Sequence, residues 1–264
     1  MQRQTSADLD LSSEGNARLV LSIATHSSVE TSVEHLSVTL DGAELPVTEI
    51  VDAYGARLHL VDVSEGDVQV SYRATVVGTA EPLEVSRLDE IVFMRPSRYA
   101  ESDSLGPTAA REFAGLTETE LVFGVSSWVG QHLQYVPGSS LPTDGAVRTL
   151  LARQGVCRDY AHLVVALLRS MNVPARLVSV YAPGLDPMDF HAVAEAAIDG
   201  QWRVVDATAL APRSSLVRIA SGRDASDTAF LTTHGAGVIL RDVEVSAVVD
   251  ELPADDLTQL VSLG

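Results

Sequence analysis

The sequence predicts an α+β protein in two parts. An antiparallel β-sandwich spans residues 1–77, a mixed helix-and-strand domain spans 117–264, and a connecting segment at 78–116 joins them. Three observations predict this. Residues 16–77 carry closely spaced runs rich in Val, Leu, Ile and Thr, most of them alternating in polarity. From residue 117 the apolar spacing becomes helical. A second series of strand patterns then follows a helix that stops near Pro174.

Composition narrows the possible functions. The 264 residues are 46% hydrophobic and 20% charged, which suits a globular chain with a sizeable core. No run approaches the ~18 apolar residues that span a bilayer, so no membrane partner is expected. The N-terminus, MQRQTSADLDLSSEG, has no apolar stretch behind its single basic residue, and the expected location is cytoplasmic. The lone cysteine cannot form an intrachain disulfide, which fits that compartment. With 36 acidic and 18 basic side chains the net charge is -18, so most of the surface repels a phosphate polymer and nucleic acid is excluded as a partner.

In chain order, the first strands read as NARLVLSIATH, EHLSVTL, PVTEIVD, RLHLVDV and DVQVSYRATVV, with Asp41-Gly42 and Glu65-Gly66-Asp67 as turns. Gly78, Pro82, Pro96, Gly106 and Pro107 break up the connecting segment. Thr117 with Glu120 offers a capping box for a helix carrying Leu121, Val125, Trp128, Val129 and His132. A short helix over Asp144–Arg153 stops at Gly155. The next starts near Val156, with Cys157, Tyr160, Ala161, Val164, Leu168 and Met171 on one face. Strand patterns follow at Arg176–Ala182, His191–Ile198 and Trp202–Thr208, the last two joined by Asp199-Gly200. Residues 211–229 read as a polar stretch, Val238–Val249 as a strand, and the C-terminal residues as exposed.

Cys157 falls in the first turn of its helix, where free N–H groups and the positive end of the macrodipole favour an anion and could also hold an oxyanion. That placement suits a nucleophilic thiolate, and equally a small buried hydrophobe. The hairpin supplies partners. With Asp199-Gly200 as its loop, Ile198 faces Gln201 and His191 faces Thr208, so Asp206 is the diagonal neighbour of His191. An aspartate there can accept from one ring nitrogen and leave the other for a thiol.

These residues resemble a known family. Gly155-Val156-Cys157-Arg158-Asp159-Tyr160-Ala161-His162, then Leu168-Arg169 through Pro174-Ala175-Arg176, then His191-Ala192 and Asp206-Ala207-Thr208, resemble the core of the bacterial transglutaminase-like superfamily. Tyr135-Val136-Pro137-Gly138, Gly222–Asp227 and Arg95-Pro96-Ser97-Arg98-Tyr99 extend the likeness, and the β region resembles that family's N-terminal domain. The chain departs from the pattern in having Ala192-Val193 where the HAW version carries an aromatic, and DAT for the more common DPT.

The resemblance implies a papain-like core and a cysteine protease or peptidase in which Cys157 attacks an amide carbonyl, His191 shuttles the proton and Asp206 orients His191. It implies a peptide or protein amide substrate, with no metal and no organic cofactor. Protein-glutamine transamidation, or a binding module that keeps the fold, are the alternatives. Related enzymes draw an oxyanion donor from the region of Gln131 and Tyr135. Asp159, with Arg158, is expected to bridge to the loop holding Arg223 and Asp224. His162, five residues after Cys157, points elsewhere on the helix and is expected to be a structural hydrogen-bonder. His26, His35, His59 and His234 show no metal-ligand spacing.

Overall fold

Strand alternation begins at the N-terminus of the computed structural model, which describes residues 1–263. Strand β1 (Gln2–Ser13) turns Arg3, Thr5, Ala7, Leu9, Leu11 and Ser13 inward. Four of those six are polar or small, which hides the strand from a reading based on apolar runs. The next six strands are β2 (Ala17–Leu21), β3 (Thr31–Leu40), β4 (Ala43–Glu44), β5 (Thr48–Val51), β6 (Arg57–Val63) and β7 (Gly66–Val77).

The sheets are completed from the far end of the chain. β14 (Leu231–Gly235) pairs with β2, and β15 (Val238–Val249) pairs with β1 along nearly its whole length. The sandwich is therefore a five-stranded sheet ordered β15-β1-β7-β3-β4 facing a four-stranded one ordered β14-β2-β6-β5. This redraws the domain boundaries expected from sequence, because residues 231–249 belong with 1–77 and not with the second domain. β1 is paired along both edges, by β7 and by β15, so no backbone edge of this strand is left open.

The connecting segment is not irregular. It holds α1 (Arg87–Val92) and α2 (Ser102–Glu112), and Leu105, Ala109 and Phe113 sink into the core of the second domain. Then come α3 (Glu118–His132), β8 (Gln134–Tyr135), α4 (Ala146–Ala152), β9 (Gln154–Gly155) and α5 (Cys157–Ser170). The capping box expected at Thr117 does not form: its side chain makes no cap bond, and Glu118 has φ of 47°. α5 buries every residue from Asp159 to Arg169 rather than one face, since α2, α3 and α4 and a sheet surround it.

That sheet is ordered β12-β11-β10-β13, from β10 (Ala175–Tyr181), β11 (Phe190–Ile198), β12 (Gln201–Val205) and β13 (Val217–Gly222). The β11–β12 hairpin has the expected register, Ile198 opposite Gln201, across Asp199 (φ 52°) and Gly200 (φ 73°). β13 lies within the stretch read as polar; its Arg218 and Ser221 are buried because they pair internally. The C-terminal segment packs too. Leu263 is buried against Val178, Val180, Val193 and Val204, and Asp255 receives Arg213.

The two halves share one core. Tyr181, Val217, Ile219 and Ala220 of the second sheet pack with Leu9, Leu19, Leu21 and Tyr72 of the sandwich, and Tyr181 donates to Ile23 O at 2.7 Å.

Candidate active site

Cys157 is half-buried and opens α5. Two features fix that start. Asp159 Oδ2 accepts from the backbone N–H of Val156 at 2.8 Å, which satisfies a donor at the helix entrance. Gly155 is the second: a Cβ there would lie 2.6 Å from Asp159 Cβ, so no side chain fits. Asp159 Oδ1 also receives Ser140 Oγ at 3.0 Å, and Arg158 donates to the carbonyls of Leu141 and Pro142. Asp159 is thus a buried cap that ties α5 to the 140–142 loop, not the expected bridge to Arg223 and Asp224.

His191 and Asp206 meet as the hairpin parity predicts. Regular pairing stops at Ala194–Val205, and beyond it His191 Nε2 lies 2.9 Å from Asp206 Oδ2. Both are nearly inaccessible, at 2% and 4% exposed. The other carboxylate oxygen accepts from the N–H and hydroxyl of Thr208, at 2.9 and 2.7 Å, so Asp206 is held from both sides. His191 Nδ1 is buried with no hydrogen-bond partner, and Cys157 lies within interaction range of the ring.

The electrostatics follow from this packing. Burial opposes charge on His191, but Asp206 and then Cys157 overcome it and raise the ring to about 10. Burial likewise opposes charge on Asp206, and His191 and Thr208 outweigh it, holding the carboxyl below its usual range. Tyr135 comes to the site through the short parallel pairing of β8 with β9, which sets it beside Gly155. Burial first, and then the charge of Cys157, push its phenol up to about 12.

Cys157 and His191 border a cavity of about 520 Å³ that lies between the two halves of the molecule. Its lining includes Leu141, Pro142, Phe190, Ile219, Phe230 and Val243. Among the described residues, no group of three or more His, Cys, Asp or Glu side chains is arranged to hold a metal ion.

The comparisons with known proteins converge on this region. The model of the family described as the transglutaminase-like superfamily matches residues 107–207, which carry all three residues. A crystal structure described as a candidate cysteine protease from Cytophaga hutchinsonii is 30% identical, covers 100% of this chain and 98% of its own, and superposes with a TM-score of 0.89. The chain belongs to the transglutaminase-like superfamily. Among curated proteins, an uncharacterized protein of Mycobacterium leprae is 27% identical over 177 residues, 64% of this chain and 63% of its own. One of Mycobacterium tuberculosis is 36% identical over 74 residues, 26% of this chain and 24% of its own. The chain thus spans less than two thirds of either curated relative.

Within this superfamily pattern the structure sorts the motif residues. Gln131 is exposed on α3, bonds to Ser127 at 2.9 Å and is not among the residues lining the cavity that Cys157 borders, so the structure does not bring it into the site as an oxyanion donor. Val193, where relatives carry an aromatic, is a core residue packed with Val178 and Val204; Ala192 is the one that borders the cavity. His162 is structural as expected, its Nε2 accepting from the N–H of Ala225, with burial driving the ring down to about 3. Arg169 donates to the carbonyls of Ala175, Arg95 and Arg223, which staples the 95–99 and 222–227 motifs to the end of α5. Thr208 as the clamp on Asp206, and the sandwich residues along the cavity, are absent from the sequence reading. The Asp-x-Thr spacing could have flagged the first; nothing local to Phe230 or Val243 signals the second.

Proposed function

We propose that the protein is a cysteine-dependent amide hydrolase that works through a thioester, acting on peptide or protein substrates. The observation that carries this reading is Cys157 at the first turn of α5, sharing a cavity with a His191 whose ring is fixed by Asp206 at 2.9 Å. His191, raised to about 10, carries its proton at neutral pH and faces Cys157 as the proton partner of the nucleophile. The thiolate attacks the amide carbon, and the N–H of Cys157 and the hydroxyl of Tyr135 receive the oxyanion. A phenol pushed up to about 12 keeps its proton for that bond. His191 then gives its proton to the departing amine, leaving an acyl thioester and a neutral imidazole. Water attacks the thioester with His191 taking its proton, which releases acid and restores the pair.

Water at ~55 M needs no acceptor site, which supports hydrolysis over transamidation. A peptide-amide library assayed with and without a fluorescent primary amine tests the reading. Hydrolysis should dominate amine incorporation and vanish in Cys157→Ala. Tyr135→Phe should lower kcat by about 10²-fold with little change in KM. Activity surviving in Cys157→Ala would end the proposal.

A further inference from the structure

Six walls of the cavity beside Cys157 are apolar, and they come from both halves of the molecule: Leu141 and Pro142 from the loop before α4, Phe190 from β11, Ile219 from β13, Phe230 just ahead of β14, and Val243 on β15. The wall is set before any substrate arrives. Phe230 stacks on Phe190 at 5.1 Å, Phe190 meets Tyr181 at 5.6 Å, and Tyr181 is bonded to Ile23 O in the shared core. Apart from His191, only Arg158 and Asp189 bring charge to the lining. Both are close in sequence to the reacting pair, and the Arg158 guanidinium is already engaged by Leu141 O, Pro142 O and Ser140 Oγ. Beyond that charged rim the remaining polar groups are the hydroxyls of Ser22, Ser140, Ser179 and Thr228, so a substrate's carboxylate or ammonium would be desolvated with no opposite charge to offset the cost. A volume of about 520 Å³ falls in the range of pockets that enclose small organic groups.

From this we infer that the sandwich is a substrate-selecting part of the enzyme. Phe230 and Val243, with Phe190 and Ile219, form the pocket for an apolar side chain, of the size of Leu or Phe, on the acyl side of the amide that Cys157 attacks. This rests on the cysteine-hydrolase reading and adds the substrate class to it.

Peptidyl chloromethyl ketones test the pocket without requiring turnover, because they alkylate the thiol directly and intact mass reports the rate. Reagents carrying Phe, Leu, Glu or Lys next to the reactive carbon should label Cys157 at least tenfold faster for Phe and Leu than for either charged residue. Val243→Arg should cut the Phe-to-Glu ratio at least tenfold and raise the rate with Glu once each rate is divided by the iodoacetamide rate of the same protein, which removes any change in the reactivity of the thiol itself. A Phe-to-Glu and Phe-to-Lys ratio near one, or a ratio that Val243→Arg leaves unchanged, overturns the inference. The hydrolase reading fails by a different sign, an iodoacetamide rate that ignores the loss of His191.

Discussion

His191 and His162 are both buried imidazoles, and their neighbours drive them in opposite directions. Desolvation disfavours charge on each. At His191, the Asp206 carboxylate at 2.9 Å and Cys157 reverse that penalty and hold the ring at about 10. At His162, burial prevails over the pull of Asp224, Arg158 and Arg169 act in the same sense as burial, and the ring falls to about 3. Nitrogen-15 NMR of the ring signals should therefore find His191 still protonated at pH 8 and His162 neutral at pH 5. Asp206→Asn should return His191 to titration below neutrality. The stability consequences follow with opposite signs. What charged His191 contributes is complete below its unfolded value of 6.5 and is lost as pH rises through about 10. His162 costs stability progressively as pH falls from 6.5 toward 3, because the unfolded chain takes up a proton that the native ring refuses.

At the scale of elements, the start of α5 places the cysteine. Asp159 caps Val156 N–H, and the close approach of Gly155 to that aspartate leaves no room for a Cβ. Asp159→Ala should cost about 1–2 kcal/mol by chemical denaturation, with Asp159→Asn retaining part of it. Gly155→Ala should cost about 1–3 kcal/mol and also slow Cys157 alkylation, because the helix entrance must shift to make room. Much of this was legible in the sequence. Gly155 marked the boundary, and the Asp199-Gly200 turn fixed the parity that brings Asp206 to His191, since two-residue loops leave only one register. The role of Asp159 was not legible. A carboxylate three residues into a helix reads equally as a cap or as a partner for a distant arginine, and only the packed 140–142 loop decides between them.

For the whole molecule, the chain leaves the sandwich at Val77 and re-enters it at Leu231, so the sandwich is built from both ends of the chain. β1 escaped recognition because Arg3 and Thr5 occupy core-facing positions, and the return of β14 and β15 escaped it because strand pairing across more than 200 residues leaves no local trace. Beneath the second sheet, Glu195 receives Arg176 at 2.8 Å and Arg218 at 2.6 Å, all three buried, with Arg176 also 4.0 Å above the ring of Trp202. The two guanidiniums, together with hydrogen bonds from both, hold Glu195 at about 2 against its desolvation. Removing the carboxylate strands two buried cations, so Glu195→Ala should destabilise the fold by about 3–5 kcal/mol, read from the denaturant midpoint. Glu195→Gln should unfold less readily than Glu195→Ala, because its amide oxygen still accepts.

The central claim, that this fold activates Cys157 as a nucleophile by pairing it with His191, is tested most directly by the rate of iodoacetamide alkylation at pH 7, followed by intact mass, in the parent protein and in His191→Ala. The account predicts that the rate falls at least tenfold in His191→Ala. Equal rates in the two proteins would contradict it.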